Sequence, residues 1–425
     1  MNKNKKKIPD FIRGMQSWFM VEFVDEGIDR AVNTLVEKGA INTLLLGTHN
    51  DPMSTKNWGE LGHSENRVEH IGSGFLYDFD ISKFKTTRIK PVKNTEPEIE
   101  DRDIFGEVLK EAKKAGMQVY ALICHRMPNA RKFPELHMRA TNGDIIPKVL
   151  CHSQPEVREF YKCMIDDLMN RYPLDGFCFD LLDHYHQFGF ETLTDELADV
   201  LGIRRFSNPE MGLSCFCDEC VRRAKDAGID VERIRKGLLN GIKLGWIPHG
   251  VERATSAGDA FRLLLDVPEY LEWLRFRATL ITEVHKELKD YIESKNKDMI
   301  ISLDAYGAED AWKYAVNYKT LTEQCDWIKP MFYSGTYPGT PLTPEMIGEH
   351  VKKSVEGTGK TIPIVPGVSG AVKQSTEKIR ASIEESVANG ASGIILSWDY
   401  SLISYENMET YRDVLSELKK IGGDL

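Results

Sequence analysis

GFCFDLLD, residues Gly176–Asp183, is the stretch from which the fold can be read. Side chains along a strand point alternately to its two faces. Phe177 and Phe179 therefore share one face, and Cys178 and Asp180 the other. Two bulky rings suit a face covered by helices, which turns the small Cys178 and the terminal Asp180 inward. The segment is then a strand buried on both faces that ends on a carboxylate.

Seven further runs have the same apolar character. They are Phe11–Phe19, Ile41–Asn50, Met117–Arg126, Met299–Gly307, Asp326–Gly335, Thr361–Gly370 and Ser392–Ser401. Amphipathic helical patterns separate them, among them GIDRAVNTLVEKGA, DIFGEVLKEAKKAG, PEVREFYKCMIDDLMNRY and STEKIRASIEESVANGA. Several close on Gly, a frequent helix stop. Eight strands, each followed by a helix, specify a (β/α)8 barrel more readily than an open doubly wound sheet. No Gly-x-Gly-x-x-Gly turn or P-loop follows any strand, which argues against a nucleotide site. Two connections, about 51–101 and 187–256, exceed plain barrel loops and are expected over the C-terminal rim, where barrel active sites are built. The expectation is one α/β domain over 1–425, a TIM barrel with long insertions after strands two and four.

The 425 residues can bury a large core, and 41% hydrophobic with 28% charged residues fits a globular enzyme. A net charge of -10 argues against a nucleic-acid partner. The basic start MNKNKKK is followed by Asp10, Arg13 and Glu22 rather than by an apolar signal segment, and no run approaches a membrane span. A cytoplasmic protein without a membrane partner is expected, with room for a homo-oligomer.

Alternation places other candidates. Ser302 and Asp304 face inward; Ile395, Ser397 and Asp399 share a face opposite Trp398; Lys329, Met331 and Tyr333 go together, as do Ala121, Ile123 and His125. Asp180, Asp304 and Asp399 then end strands four, five and eight on one rim. A single strand-end Asp can simply cap a loop by accepting from backbone N–H groups. Three such groups joined by His125, Tyr333 and Lys329 favour an active site. Two carboxyl groups across a polar cleft are what glycosidic bond cleavage needs, one as acid and one as nucleophile or base. Asp180 is the expected nucleophile or base, with Asp304, then Asp183 and Asp399, as the acid. His184, Tyr185 and His186 look like ligands for sugar hydroxyls. Trp18, Tyr306 and Trp398 are placed as stacking faces, and His49, Asn50, His125 and Arg126 as polar contacts.

VLCHSQPEVREFYKCMIDDLMNRYPLDGFCFDLLDHY, then CFCDEC, WLRFRATLITEV and DWIKPMFY, resembles the glycoside-hydrolase-like barrel proteins. The cysteine pattern is similar to that of family 42 β-galactosidases, whose zinc site joins one Cys after strand three to a Cys-x-Cys-x-x-Cys after strand four. The resemblance implies that Cys151, Cys215, Cys217 and Cys220 are the corresponding residues. Family 42 enzymes carry Asn-Glu at the end of strand four, where this chain has Phe179-Asp180, so that catalytic pair does not transfer. An Asp at this place looks more like α-amylase-like and α-galactosidase-like barrels, and DGFCFDLLDHY is also similar to endo-polygalactosaminidase-like barrels.

Four thiolates would form a closed, structural zinc site with no position left for a reacting water. His152 is an alternative to Cys151, a redox Cys-x-x-Cys lacks a thioredoxin-like setting, and four metal-free thiols are the plain alternative. Cys124, Cys163, Cys178 and Cys325 read as small apolar residues. The expected function is hydrolysis of a small oligosaccharide or glycoside without an organic cofactor. A non-catalytic carbohydrate-binding barrel competes with it, as does a sugar-acid lyase or isomerase using His125 and Lys329.

Overall fold

The computed structural model describes residues 6–50, 53–54, 70–184, 214–243, 265, 267–332, 342–371, 374–397 and 399–422. Eight strands close a parallel barrel: β1 (Ile12–Ser17), β2 (Thr43–Gly47), β3 (Gln118–Cys124), β4 (Gly176–Asp180), β5 (Ile300–Ala305), β6 (Trp327–Phe332), β7 (Gly367–Ser369) and β8 (Gly393–Ser397). Each strand pairs with its neighbours in sequence, and β8 pairs with β1. This is the TIM barrel expected from the alternating pattern. β7 is shorter than its apolar run, because Pro363 and Pro366 have no N–H to give to a ladder.

The barrel interior holds Ile12, Leu45, Tyr120, Leu122, Cys178, Ile300, Trp327, Val365 and Ile395. Phe177, Phe179, Ile301, Leu303 and Leu396 belong instead to the layer between strands and helices. The face assignment made from Gly176–Asp183 therefore holds. The helices at Ile104–Lys114, Pro344–Gly357 and Thr376–Ala388 start where Asp103, Thr343 and Ser375 accept N–H bonds from their first turns. Gly176 admits no side chain, since a Cβ there would lie 2.3 Å from the Ile300 carbonyl oxygen.

A second core lies beside the barrel. It packs Met138, Ile146 and Val149 from the β3–β4 connection against Phe216, Ile234 and Leu238 from the β4–β5 connection. The long helix Pro268–Lys295 closes it with Trp273, Phe276 and Leu280, and the Phe216 and Trp273 rings stack at 4.3 Å. Among the described residues no helix is long and apolar enough to cross a membrane.

Candidate active site

Four adjacent strands each supply one residue to a row at the C-terminal end of the barrel. Cys124 of β3 is the register partner of Asp180, Asp180 of Asp304, and Asp304 of Lys329. Each stands two or four residues beyond an interior side chain, Leu122, Cys178, Ile300 or Trp327, and so faces the axis. Lys329 Nζ donates to Asp304 Oδ2 at 2.5 Å and to Gln16 Oε1 at 2.7 Å. The ammonium is fully buried and the Asp304 side chain is 1% exposed. Asp304 Oδ1 has no hydrogen-bond partner among the described residues.

The two carboxyl groups differ in charge environment. Burial, then the neighbouring Asp304, pushes Asp180 up to about 7, against the pull of Lys329, Cys124 and Arg126. Burial raises Asp304 as well, but Lys329 opposes that shift through both its charge and its hydrogen bond. Two buried carboxylates side by side do not both ionise readily. The direct ammonium contact favours the charged form of Asp304, and burial beside Asp304 favours the protonated form of Asp180.

Beyond β3 the chain folds back over the row. The His125 N–H donates to the Asp180 carbonyl at 3.1 Å, and His125 Nδ1 lies 3.5 Å from Cys124 Sγ. Arg126 Nε donates to His125 Nε2 at 3.3 Å. A guanidinium only donates, so Nε2 accepts and the neutral ring carries its proton on Nδ1, facing the sulfur. Burial keeps this imidazole neutral by holding it well below its ordinary value. Cys124 in turn hydrogen-bonds Asp180 and favours its ionised form. The ligand atoms of Cys124, His125 and Asp180 lie within 4.8 Å of one another. Ala121 and Ile123 pack outward, so His125 reaches the rim through the turn and the inward strand-end residue is Cys124. The alternation Tyr120–Leu122–Cys124 was the available signal, hidden by reading this cysteine as an apolar filler.

The other carboxyl candidates are placed differently. Asp183 is buried, its acidity is weakened by burial and by Asp180, and its Oδ2 has no partner among the described residues. Asp399 Oδ2 accepts from the Trp18 N–H at 2.5 Å, and Oδ1 accepts from the Ser401 N–H and hydroxyl. These are loop-capping bonds, and burial pushes Asp399 up to about 6. Its charged neighbour is Glu22, a fully buried carboxyl that accepts from the Ser17 hydroxyl and is itself raised by burial and by Asp399. Sequence reading noticed Glu22 only as a charge interrupting an apolar run.

Among the expected sugar contacts, both His49 ring nitrogens have protein partners, Thr48 Oγ1 at 2.9 Å and the Cys124 carbonyl at 3.2 Å. Its ring stacks on Phe75, and burial lowers it to about 4. Asn50 Oδ1 accepts from Asn94 Nδ2 at 3.0 Å. Tyr306 stacks on Tyr314 with ring centroids 3.5 Å apart, and Trp18 packs against the barrel core. His184 approaches Cys220, with Nε2 3.9 Å from Sγ. Tyr185, His186, Tyr333 and Trp398 lie outside the described residues.

Cys151, Cys215, Cys217 and Cys220 are fully buried, and their sulfurs lie within 4.8 Å of one another. The Cys151 and Cys220 sulfurs are 3.6 Å apart, much longer than the roughly 2.05 Å of a disulfide. A tetrahedron with sulfur about 2.3 Å from a central zinc has edges of about 3.8 Å. Backbone N–H groups of Arg139 and Cys217 donate to Cys215 Sγ at 3.3 and 3.4 Å, as they would to a thiolate. The cluster can hold a metal ion, and it fastens the β3–β4 connection to the β4–β5 connection.

These features define a (β/α)8 barrel with a buried four-cysteine cluster. No protein-family model and no curated protein matches the chain. Solved structures do. The PgaB (BpsB) glycoside hydrolase domain from Bordetella bronchiseptica is similar at 12% identity and a TM-score of 0.59, over 96% of this chain and 97% of that one. Alpha-L-fucosidase isoenzyme 2 from Paenibacillus thiaminolyticus is similar at 11% identity and a TM-score of 0.55, over 97% of this chain and 50% of that one. A catalytic mutant of Gan42B, a GH42 β-galactosidase from G. stearothermophilus, gives 13% identity and a TM-score of 0.56, over 98% of this chain and 57% of that one. The chain thus spans about half the fucosidase and less than three fifths of the β-galactosidase. At these identities the likeness is one of fold.

Proposed function

We propose that the protein hydrolyses a glycosidic bond in a small oligosaccharide or glycoside, with Asp180 and Asp304 as the two carboxyl groups. The observation that carries this reading is their placement as register partners on the barrel's inner rim, one ion-paired with Lys329 and the other pushed up to about 7. The fold likeness to glycoside hydrolases supports it. Asp180 gives its proton to the leaving oxygen and recovers one from water in the second half of the reaction. Asp304 stays ionised beside Lys329, and its unpartnered Oδ1 faces the electron-poor anomeric carbon. These roles invert the order expected from the sequence, because Lys329 sits on Asp304 rather than on Asp180. Asp183, His125 and Arg126 are proposed to hold hydroxyl groups around the pair. We further propose that Cys151, Cys215, Cys217 and Cys220 hold one zinc ion, which shapes the connections without touching substrate.

A panel of aryl glycosides tests the assignment. The substrate that turns over should show kcat/KM falling tenfold per pH unit above about 7, as Asp180 loses its proton. Activity should also fall on the acid side, as Asp304 is neutralised. The groups facing Asp180 are Asp304, Lys329, Cys124, Arg126, Asp183 and Cys178. A profile that instead rises through pH 7 would make Asp180 a base. Sugar binding without turnover would leave a carbohydrate-binding barrel.

A further inference from the structure

Arg277 is fully buried on the helix Pro268–Lys295, which also gives Trp273, Phe276 and Leu280 to the core that contains the four cysteines. Its Nη2 donates to the carbonyls of Lys313 at 3.1 Å and His184 at 3.4 Å. Nε and Nη1 have no hydrogen-bond partner, and the guanidinium makes no ion pair, among the described residues. The groups acting on its charge are Tyr270, Asp183, Cys215 and Cys220. His184 links the two sites, its carbonyl on Arg277 and its Nε2 3.9 Å from Cys220 Sγ. Arg223, on which Cys220 also acts, is paired with Glu283.

A guanidinium keeps its charge in a protein interior and is expensive to bury without an anion. Four protonated thiols would offer it none, and the Asp183 carboxyl, which also acts on it, is held toward its neutral form by burial and makes no ion pair with it among the described residues. Four thiolates around a divalent ion carry a net charge of about -2, which is itself costly to bury without a cation. Each group supplies what the other lacks. We infer that Arg277 is the internal counter-cation of a tetrathiolate metal site at Cys151, Cys215, Cys217 and Cys220. The inference rests on the metal reading of that cluster and is independent of the proposed glycosidase activity.

The test uses the full chain purified with its metal, and follows metal transfer to a chromogenic chelator. Arg277→Met keeps an unbranched apolar stem and removes the charged guanidinium. It should release metal at least tenfold faster than the unaltered protein. Arg277→Lys keeps the charge and should stay within about threefold. Leu280→Ala, which empties space in the same core without changing charge, controls for general loosening. It should lower the thermal midpoint yet also stay within about threefold. Equal acceleration by Arg277→Met and Leu280→Ala would overturn the inference, as would equal acceleration by Arg277→Met and Arg277→Lys or no acceleration at all. Should Arg277→Met fail to fold, Arg277→Lys decides against Leu280→Ala: slow release supports the counter-cation, fast release refutes it. Elemental analysis showing no metal in the unaltered protein would remove the metal reading itself, a distinguishable result.

Discussion

Asp180→Asn should fold normally and lose turnover by on the order of 10³ on substrates with a basic leaving group, the scale of a missing general acid. The substitution is nearly isosteric and removes a carboxyl that burial already holds close to neutral, so stability should change little. In kcat/KM, which reports the first step, the loss should shrink for a leaving group acidic enough to depart without a proton, such as a dinitrophenolate. Asp304→Asn should be equally damaging to both kinds of substrate, because a nucleophile is needed whatever leaves. Measuring both variants on a leaving-group series separates the two roles. If Asp180→Asn depresses every substrate alike, Asp180 is not the acid; if it is fully active, the pair is not catalytic.

Lys329→Met should produce the largest change in stability, about 3–5 kcal/mol near neutral pH. Lys329 is buried against Asp304 and Gln16, so its removal strands a carboxylate in the barrel with no counter-charge. Asp304 would then take up a proton, and its folded-state pKa would rise further above its unfolded value. A raised carboxyl stabilises the fold below the unfolded pKa and loses that contribution as pH rises. The deficit of Lys329→Met should therefore be small near pH 4 and grow toward pH 8 in denaturant titrations. Adding Asp304→Leu should recover much of the stability at high pH but none of the activity. A deficit that does not change with pH would mean that Lys329 contributes packing rather than charge.

Alternation over a few residues was enough to place the barrel and half of the rim. Asp180, Asp304 and Lys329 lie on the axis side because each strand is straight, and parity survives along a straight strand. His125 did not obey it, because it lies beyond the last ladder residue, where the chain turns. Asp399 lies two residues beyond the end of β8, and Trp18 and Ser401 occupy its oxygens. The Trp18 bond joins the segment after β1 to the segment after β8, parts of the chain that meet only when the barrel closes. Arg277 had no signal at all. In WLRFRATL it reads as one of several helix charges, and only the packing of the long helix on the second core buries it. Cysteine spacing, by contrast, is local for three of the four thiols, and that cluster was legible.

The row across β3 to β6 also carries a stereochemical consequence. Asp180 and Asp304 are held by neighbouring strands, which lie about 4.8 Å apart, and not by loops that could widen. Carboxyl groups some 5–5.5 Å apart act on the two faces of one anomeric carbon without space for a water between them, whereas inversion requires roughly 6.5–9.5 Å. On the proposed assignment, carboxyl groups carried by adjacent strands point to retention of configuration. Proton NMR of the first sugar released should show the same anomer as the substrate, formed through a glycosyl ester on Asp304.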